Sequence, residues 1–176
     1  QIKVEEKDAQ NVEKPKNETT LNSTLQSEVL INYRHEENPY VDFNRERLNY
    51  LMMSTQGPKV GEGDINGDGL TDLVIPGPKG IATKVFLKTK DGKFVDGPTS
   101  PIFEKIKEAE HTKCHLFDAD NDGDLDVYML SGGVELTEYS EYLYDEVLLN
   151  DGKGVFASTG QRLPSANAKI SSGAIA

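Results

Sequence analysis

Short apolar runs set off by turn residues dominate the chain from residue 58 onward. Leu73-Val74-Ile75 and Val127-Tyr128-Met129-Leu130 are continuous and rich in residues that suit a pleated sheet, while Val85 and Leu87 alternate with Phe86 and Lys88. Asp91-Gly92 and Asp151-Gly152 stand between such runs and tolerate positive φ, so they predict hairpin turns. Before residue 58 the pattern is different. Residues 1–28 are polar with no sustained apolar period and predict a flexible tail. Val29 to Tyr33 predicts a short strand opening a lead-in over residues 29–57, in which Phe43, Leu48, Leu51 and Met52 are the expected burying residues. Helical and extended readings both stand there, and Gln56-Gly57-Pro58 closes the segment.

From residue 58 onward the chain repeats itself. Gly63 to Val74 corresponds to Phe117 to Tyr128 at an offset of 54, and Lys84 to Phe94 corresponds to Glu146 to Phe156 at an offset of 62. The second unit therefore carries eight extra residues, within Gly132 to Asp145. Each unit reads as strand, acidic loop, strand, connection, strand, tight turn, strand, which describes one four-stranded antiparallel propeller blade. The expected fold is all-β: a partial β-propeller with a first blade over 58–113, a second over 114–168, and the first strand of a third over 169–176. By the second unit's length a third acidic loop would begin near residue 180, so the chain is expected to be part of a longer repeat protein.

Composition narrows the function classes. Thirty acids against nineteen bases give a net charge of −11, which disfavours nucleic acid as a partner. Eight of the thirty acids lie in residues 64–72 and 118–126, a density that calls for a cation. No stretch approaches the ~20 apolar residues of a membrane helix, so no membrane span is expected. Cys114, the one cysteine, sits in the apolar run Cys114-His115-Leu116-Phe117 and reads as a buried thiol.

The two acidic clusters have the spacing of a calcium loop. Asp64, Asn66, Asp68 and Asp72 occupy positions 1, 3, 5 and 9 of the first, and Asp118, Asp120, Asp122 and Asp126 those of the second. All eight are oxygen donors, and alternate residues on a tight loop can turn inward around an ion that takes roughly six to eight oxygens. Gly69 and Gly123 at position 6 permit the sharp turn, and Leu70 and Asp124 at position 7 are expected to contribute backbone carbonyls. An EF-hand loop needs an acid at position 12 and flanking helices, whereas position 12 here is Ile75 or Met129 and a β-prone run follows each loop. Two Ca²⁺ sites are therefore expected, each at the entrance to a strand.

These residues resemble the FG-GAP/VCBS repeat family, related to the calcium-loop blades of integrin α-subunit propellers. Asp64 to Leu73 and Asp118 to Val127 match its Asp-x-Asp/Asn-x-Asp-Gly-x-x-Asp-Leu/Val signature, and Leu149-Asn150-Asp151-Gly152-Lys153-Gly154-Val155-Phe156 matches its hairpin. The first copy of the hairpin, Lys90-Asp91-Gly92-Lys93-Phe94, is shorter. The lead-in from His35 to Pro58 is similar to that of large surface proteins with such repeats in Bacteroidetes. The resemblance implies a propeller of about seven blades with structural metal, the remaining blades lying in a longer chain.

Loops of this charge often bind calcium in the ~10⁻⁴–10⁻³ M range of extracellular modules, which points to a secreted, cell-surface or periplasmic setting. The expected function is a non-catalytic binding or adhesion scaffold for a protein or glycan. The alternative is a non-catalytic portion of a propeller-containing surface enzyme. His35, His111 and His115 show no metal-ligand spacing, and neither a nucleophile elbow nor a phosphate loop is present. The insertion carries Tyr139, Tyr142 and Tyr144 with Glu135, Glu138 and Glu141, either to stack on a sugar or to pack on its own blade.

Overall fold

The structure, a computed structural model, describes residues 31–163 apart from 49, 51, 53, 56 and 138. Its first sheet comprises β1 (Gly61–Gly63), β2 (Asp72–Ile75), β3 (Lys84–Lys88) and β4 (Phe94–Asp96). The second comprises β5 (Glu110–Phe117), β6 (Asp126–Gly132), β7 (Asp145–Asn150) and β8 (Phe156–Leu163). Both are antiparallel meanders whose spatial order follows the chain. The fold is all-β and propeller-like, and the register carries the internal repeat. Leu73 lies opposite Phe86 in one sheet and Val127 opposite Leu148 in the other, preserving the offsets of 54 and 62.

Antiparallel pairing gives each sheet two chemically different ends. The acidic loops and the β3–β4 and β7–β8 hairpins share one end; the β2–β3 and β6–β7 connections share the other. Of the eight extra residues, four lengthen the β6–β7 connection, which runs over 133–144 against 76–83 in the first sheet, and four extend β6 and β7; the connection lies far from the acidic loops and contains a short 3-10 turn at Glu141–Leu143. Within that connection Val134, Leu136 and Leu143 are buried, whereas Tyr139 and Tyr144 are exposed.

One apolar core serves both sheets. Ile65, Val74 and Val85 from the first pack with Cys114, Val127, Met129, Leu148 and Phe156 from the second. A short helix between the sheets, α1 (Pro101–Ile106), adds Phe103 and Ile106. Proline at its first position costs no hydrogen bond there. Ser100, just before it, is buried and its Oγ accepts from the Phe156 amide at 2.8 Å. The rings of Phe103 and Phe156 meet at 5.7 Å, seating α1 on β8. A parallel bridge between Lys59 and Lys113 links the start of the first unit to β5.

The lead-in departs from expectation. Residues 31–33 form no strand. Phe43 is 41% exposed and Leu48 fully so, Met52 is half-buried, and the buried residue is Asp42. Asp42 opens a 3-10 turn (Asp42–Asn44) and accepts from the Ser54 amide at 3.0 Å and from the Ser54 hydroxyl, so this turn is organised by a satisfied carboxylate instead of an apolar contact. The strand assigned to the second unit begins at Glu110, ahead of Cys114. The tail over 1–28, Val29, Leu51 and the expected third-blade strand over 169–176 lie outside the described residues. Among the described residues no helix is long and apolar enough to cross a membrane.

Candidate metal centre

The two acidic loops trace the same backbone path. Position 4 is left-handed in both, at φ 75° for Gly67 and 64° for Asn121, and so is position 6, at 82° for Gly69 and 96° for Gly123. Asparagine is one of the few side-chain-bearing residues that accepts this region readily, which is why it replaces glycine at 121.

Position 9 anchors each loop to the sheet. Asp72 is fully buried; its Oδ2 accepts from the Ile65 amide at 3.0 Å and its Oδ1 from the Lys88 amide of β3 at 2.7 Å. Asp126 is 1% exposed and does the same with Ala119 and Asn150, both at 2.8 Å. Each carboxylate thus ties the start of its loop to the third strand of its sheet. Burial holds Asp72 above the usual carboxylate range, opposed by its amide bonds to Lys88 and Ile65.

The loops then diverge. In the first, Asp64 Oδ1 accepts from Gly67 and Asp68 and its Oδ2 from Gly69, while Asp68 accepts from the Leu70 amide and the Asn66 side chain. Its side-chain oxygens are turned onto the loop's own amides. The second makes fewer such bonds, Asp118 accepting from the Gly123 amide, Asp120 from Asp122 and Asp122 from Asp124, and its Asp118, Asp120 and Asp126 each present a carboxylate oxygen, all within 4.8 Å of one another. Among the described residues no other set of three His, Cys, Asp or Glu side chains converges in this way.

The second loop also holds more uncompensated charge. Desolvation and the charges of Asp122, Asp126 and Asp118 hold Asp120 above its ordinary range. Asp124 is pushed up to about 6, first by desolvation and then by Asp122 and Asp126. Asp124 Oδ1 is closed off from solvent without a hydrogen-bond partner, and Gly152 of the β7–β8 turn lies over the same carboxyl group. The sequence pattern predicts a backbone carbonyl at this position, and the structure adds the side chain. A divalent cation fits these residues: three converging oxygens, a fourth carboxyl with an orphaned oxygen, and no basic side chain within residues 118–126.

Residues 64–129 match the FG-GAP-like repeat. The match opens on the first acidic loop and runs through the second into β6, so the matched segment contains both loops, β2 and the first part of β6. No curated protein and no solved structure matches the chain.

Two of the remaining titratable candidates are buried. His111 is 3% exposed and burial lowers its pKa to about 4, and burial pushes the Cys114 thiol up to about 12. Cys114 Sγ donates to the Val74 carbonyl at 3.3 Å, linking the two sheets. Asn150, whose role the sequence did not disclose, bridges the loops. Its Nδ2 donates to the carbonyls of Ile65 in the first loop, at 2.8 Å, and Leu125 in the second, at 3.0 Å. The Asn-Asp-Gly hairpin motif contains this residue, and the partner it finds in the other repeat, Ile65, is what the motif leaves out.

Proposed function

We propose that this segment is a calcium-stabilised pair of propeller blades in an extracytoplasmic, non-catalytic scaffold that binds a protein or glycan. The observation that carries the reading is the convergence of Asp118, Asp120 and Asp126 at the entrance to β6. In the second loop these three, with Asp122 and Asp124, would hold the ion; in the first, Asp64, Asn66, Asp68 and Asp72 would turn from amides to ion, with the Leu70 carbonyl beside them. Bound calcium supplies positive charge that offsets carboxylate repulsion and fixes the loop between the first two strands of its blade.

A structural role is supported by where the other reactive groups lie. His111 and Cys114 are buried in the blades and held in their neutral forms, unsuited to proton transfer or nucleophilic attack at neutral pH. Binding would fall to exposed loops, and Tyr139 in the insertion is 84% exposed. Further blades of a longer chain would complete the ring.

Calcium titrated into chelator-stripped protein is expected to raise the melting temperature. Asp118→Ala with Asp122→Ala should abolish most of that gain, and Asp64→Ala should remove less, because the first loop has fewer carboxylates and Asp64 accepts from three loop amides where Asp118 accepts from one. An unchanged melting temperature at millimolar calcium would overturn the proposal. Product formation in a glycan-turnover screen would overturn its non-catalytic part.

A further inference from the structure

At the end of the second sheet away from the acidic loops, four carboxyl groups come together from different parts of the chain. Glu110 opens β5, where it pairs with Gly132. Glu135 lies in the β6–β7 connection, and Glu37 and Asp42 come from the lead-in; all three face Glu110 electrostatically. Each of these three has partners. Glu37 Oε1 is 2.8 Å from His35 Nε2, Glu135 bonds Lys79 Nζ at 3.2 Å and the Asn38 amide, and Asp42 holds Ser54.

Glu110 is different. Its side chain is buried, and Oε2 is sealed from solvent with no hydrogen-bond partner. The backbone has been cleared to admit it: a Cβ at residue 133 would stand 1.8 Å from that oxygen, and Gly133 holds φ at 95°. The lead-in is clamped over this place. Arg45 Nη1 donates to the carbonyls of Val134, Glu135 and Leu136 at 2.9, 3.2 and 2.7 Å, and Asn38 reaches Glu135.

The geometry points to Glu110 as a proton-operated latch: its protonated carboxyl lets the lead-in close over the second sheet, and its ionisation loosens that closure. An ionised carboxylate with its buried oxygen unpartnered would face Glu135, Glu37 and Asp42, with Lys79 as the compensating charge. The adjacent His111 stays neutral and offers no positive charge. Burial first, and then those three acids, push Glu110 up to about 7 from an ordinary 4.5. The closed state binds the proton more tightly than the open one. Its advantage is therefore full below the ordinary value and is lost as pH rises through about 7. The latch involves none of the proposed calcium ligands and stands independently of them.

The test is hydrogen exchange of residues 33–47 in the whole chain with calcium saturating, each rate normalised to the intrinsic rate at that pH. From about pH 6 to about pH 8.5, protection should fall by up to about tenfold, and Glu110→Gln should hold it constant. A carboxyl ¹³C titration of Glu110 in the unmodified protein supplies a second readout that does not depend on the variant folding. A midpoint near 7 supports the latch. A midpoint below about 5, or protection in Glu110→Gln that follows pH as the unmodified protein does, overturns it.

Discussion

The amide of Asn150 donates to Asp126 Oδ1 at 2.8 Å, fastening the end of β7 to the carboxylate that closes the second acidic loop. Lys88 and Asp72 make the same bond at 2.7 Å in the first sheet. The loop is therefore attached to its blade through a protein carboxylate, quite apart from any ion it holds.

That division of labour separates two substitutions. Asp126→Ala strands the amides of Ala119 and Asn150 and should cost about 3 kcal/mol or more, even in chelator. Asp118→Ala, at an exposed position, should cost little in chelator and instead reduce the response to calcium. Urea unfolding of both variants with and without calcium checks the contrast, and identical behaviour would refute it.

Asn150→Ala should uncouple the repeats. The side chain is 8% exposed, donates to Ile65 and Leu125, and accepts from the amides of Asp151 and Gly154, both at 2.9 Å. Losing those bonds should cost about 2 kcal/mol or more. Exchange should quicken in residues 64–72 as well as in the loop next to the mutation; acceleration confined to residues 118–126 would argue against the bridge.

Acid should unfold the protein partly through His111. Its folded pKa is depressed to about 4, so neutral His111 stabilises fully above its ordinary 6.5, and that contribution disappears as pH falls toward about 4. The loss should reach about 3 kcal/mol. Comparing urea midpoints near neutrality and near pH 4 for the parent and His111→Met should show a flatter dependence in the variant; parallel curves would reject this assignment.

Cys114 provides a reporter of unfolding. Buried, and with its thiol pushed up to about 12, it should resist iodoacetamide in the native protein at neutral pH and react promptly in denaturant. Stoichiometric labelling of the native chain would contradict its placement.

The acidic loops were legible because their chemistry is written locally: alternate oxygen donors, a glycine at position 6, and a β-prone run after position 9. What Asp72 and Asp126 do with both oxygens was not, since Lys88 and Asn150 come into reach only once the third strand has paired. The lead-in misled for a related reason. Phe43 and Leu48 offered apolarity as the local cue, but the inward residue is Asp42, selected by Ser54 twelve positions later. At six residues α1 is too short to show a helical period, and the Ser100-Pro101 pair was the one available signal of its start.

Because the lengthened β6–β7 connection and the acidic turns occupy opposite rims of the blade, each can change without rebuilding the other. Evolution could redraw the far rim while the anchoring rim kept its chemistry, much as a tool handle outlives a succession of fitted heads.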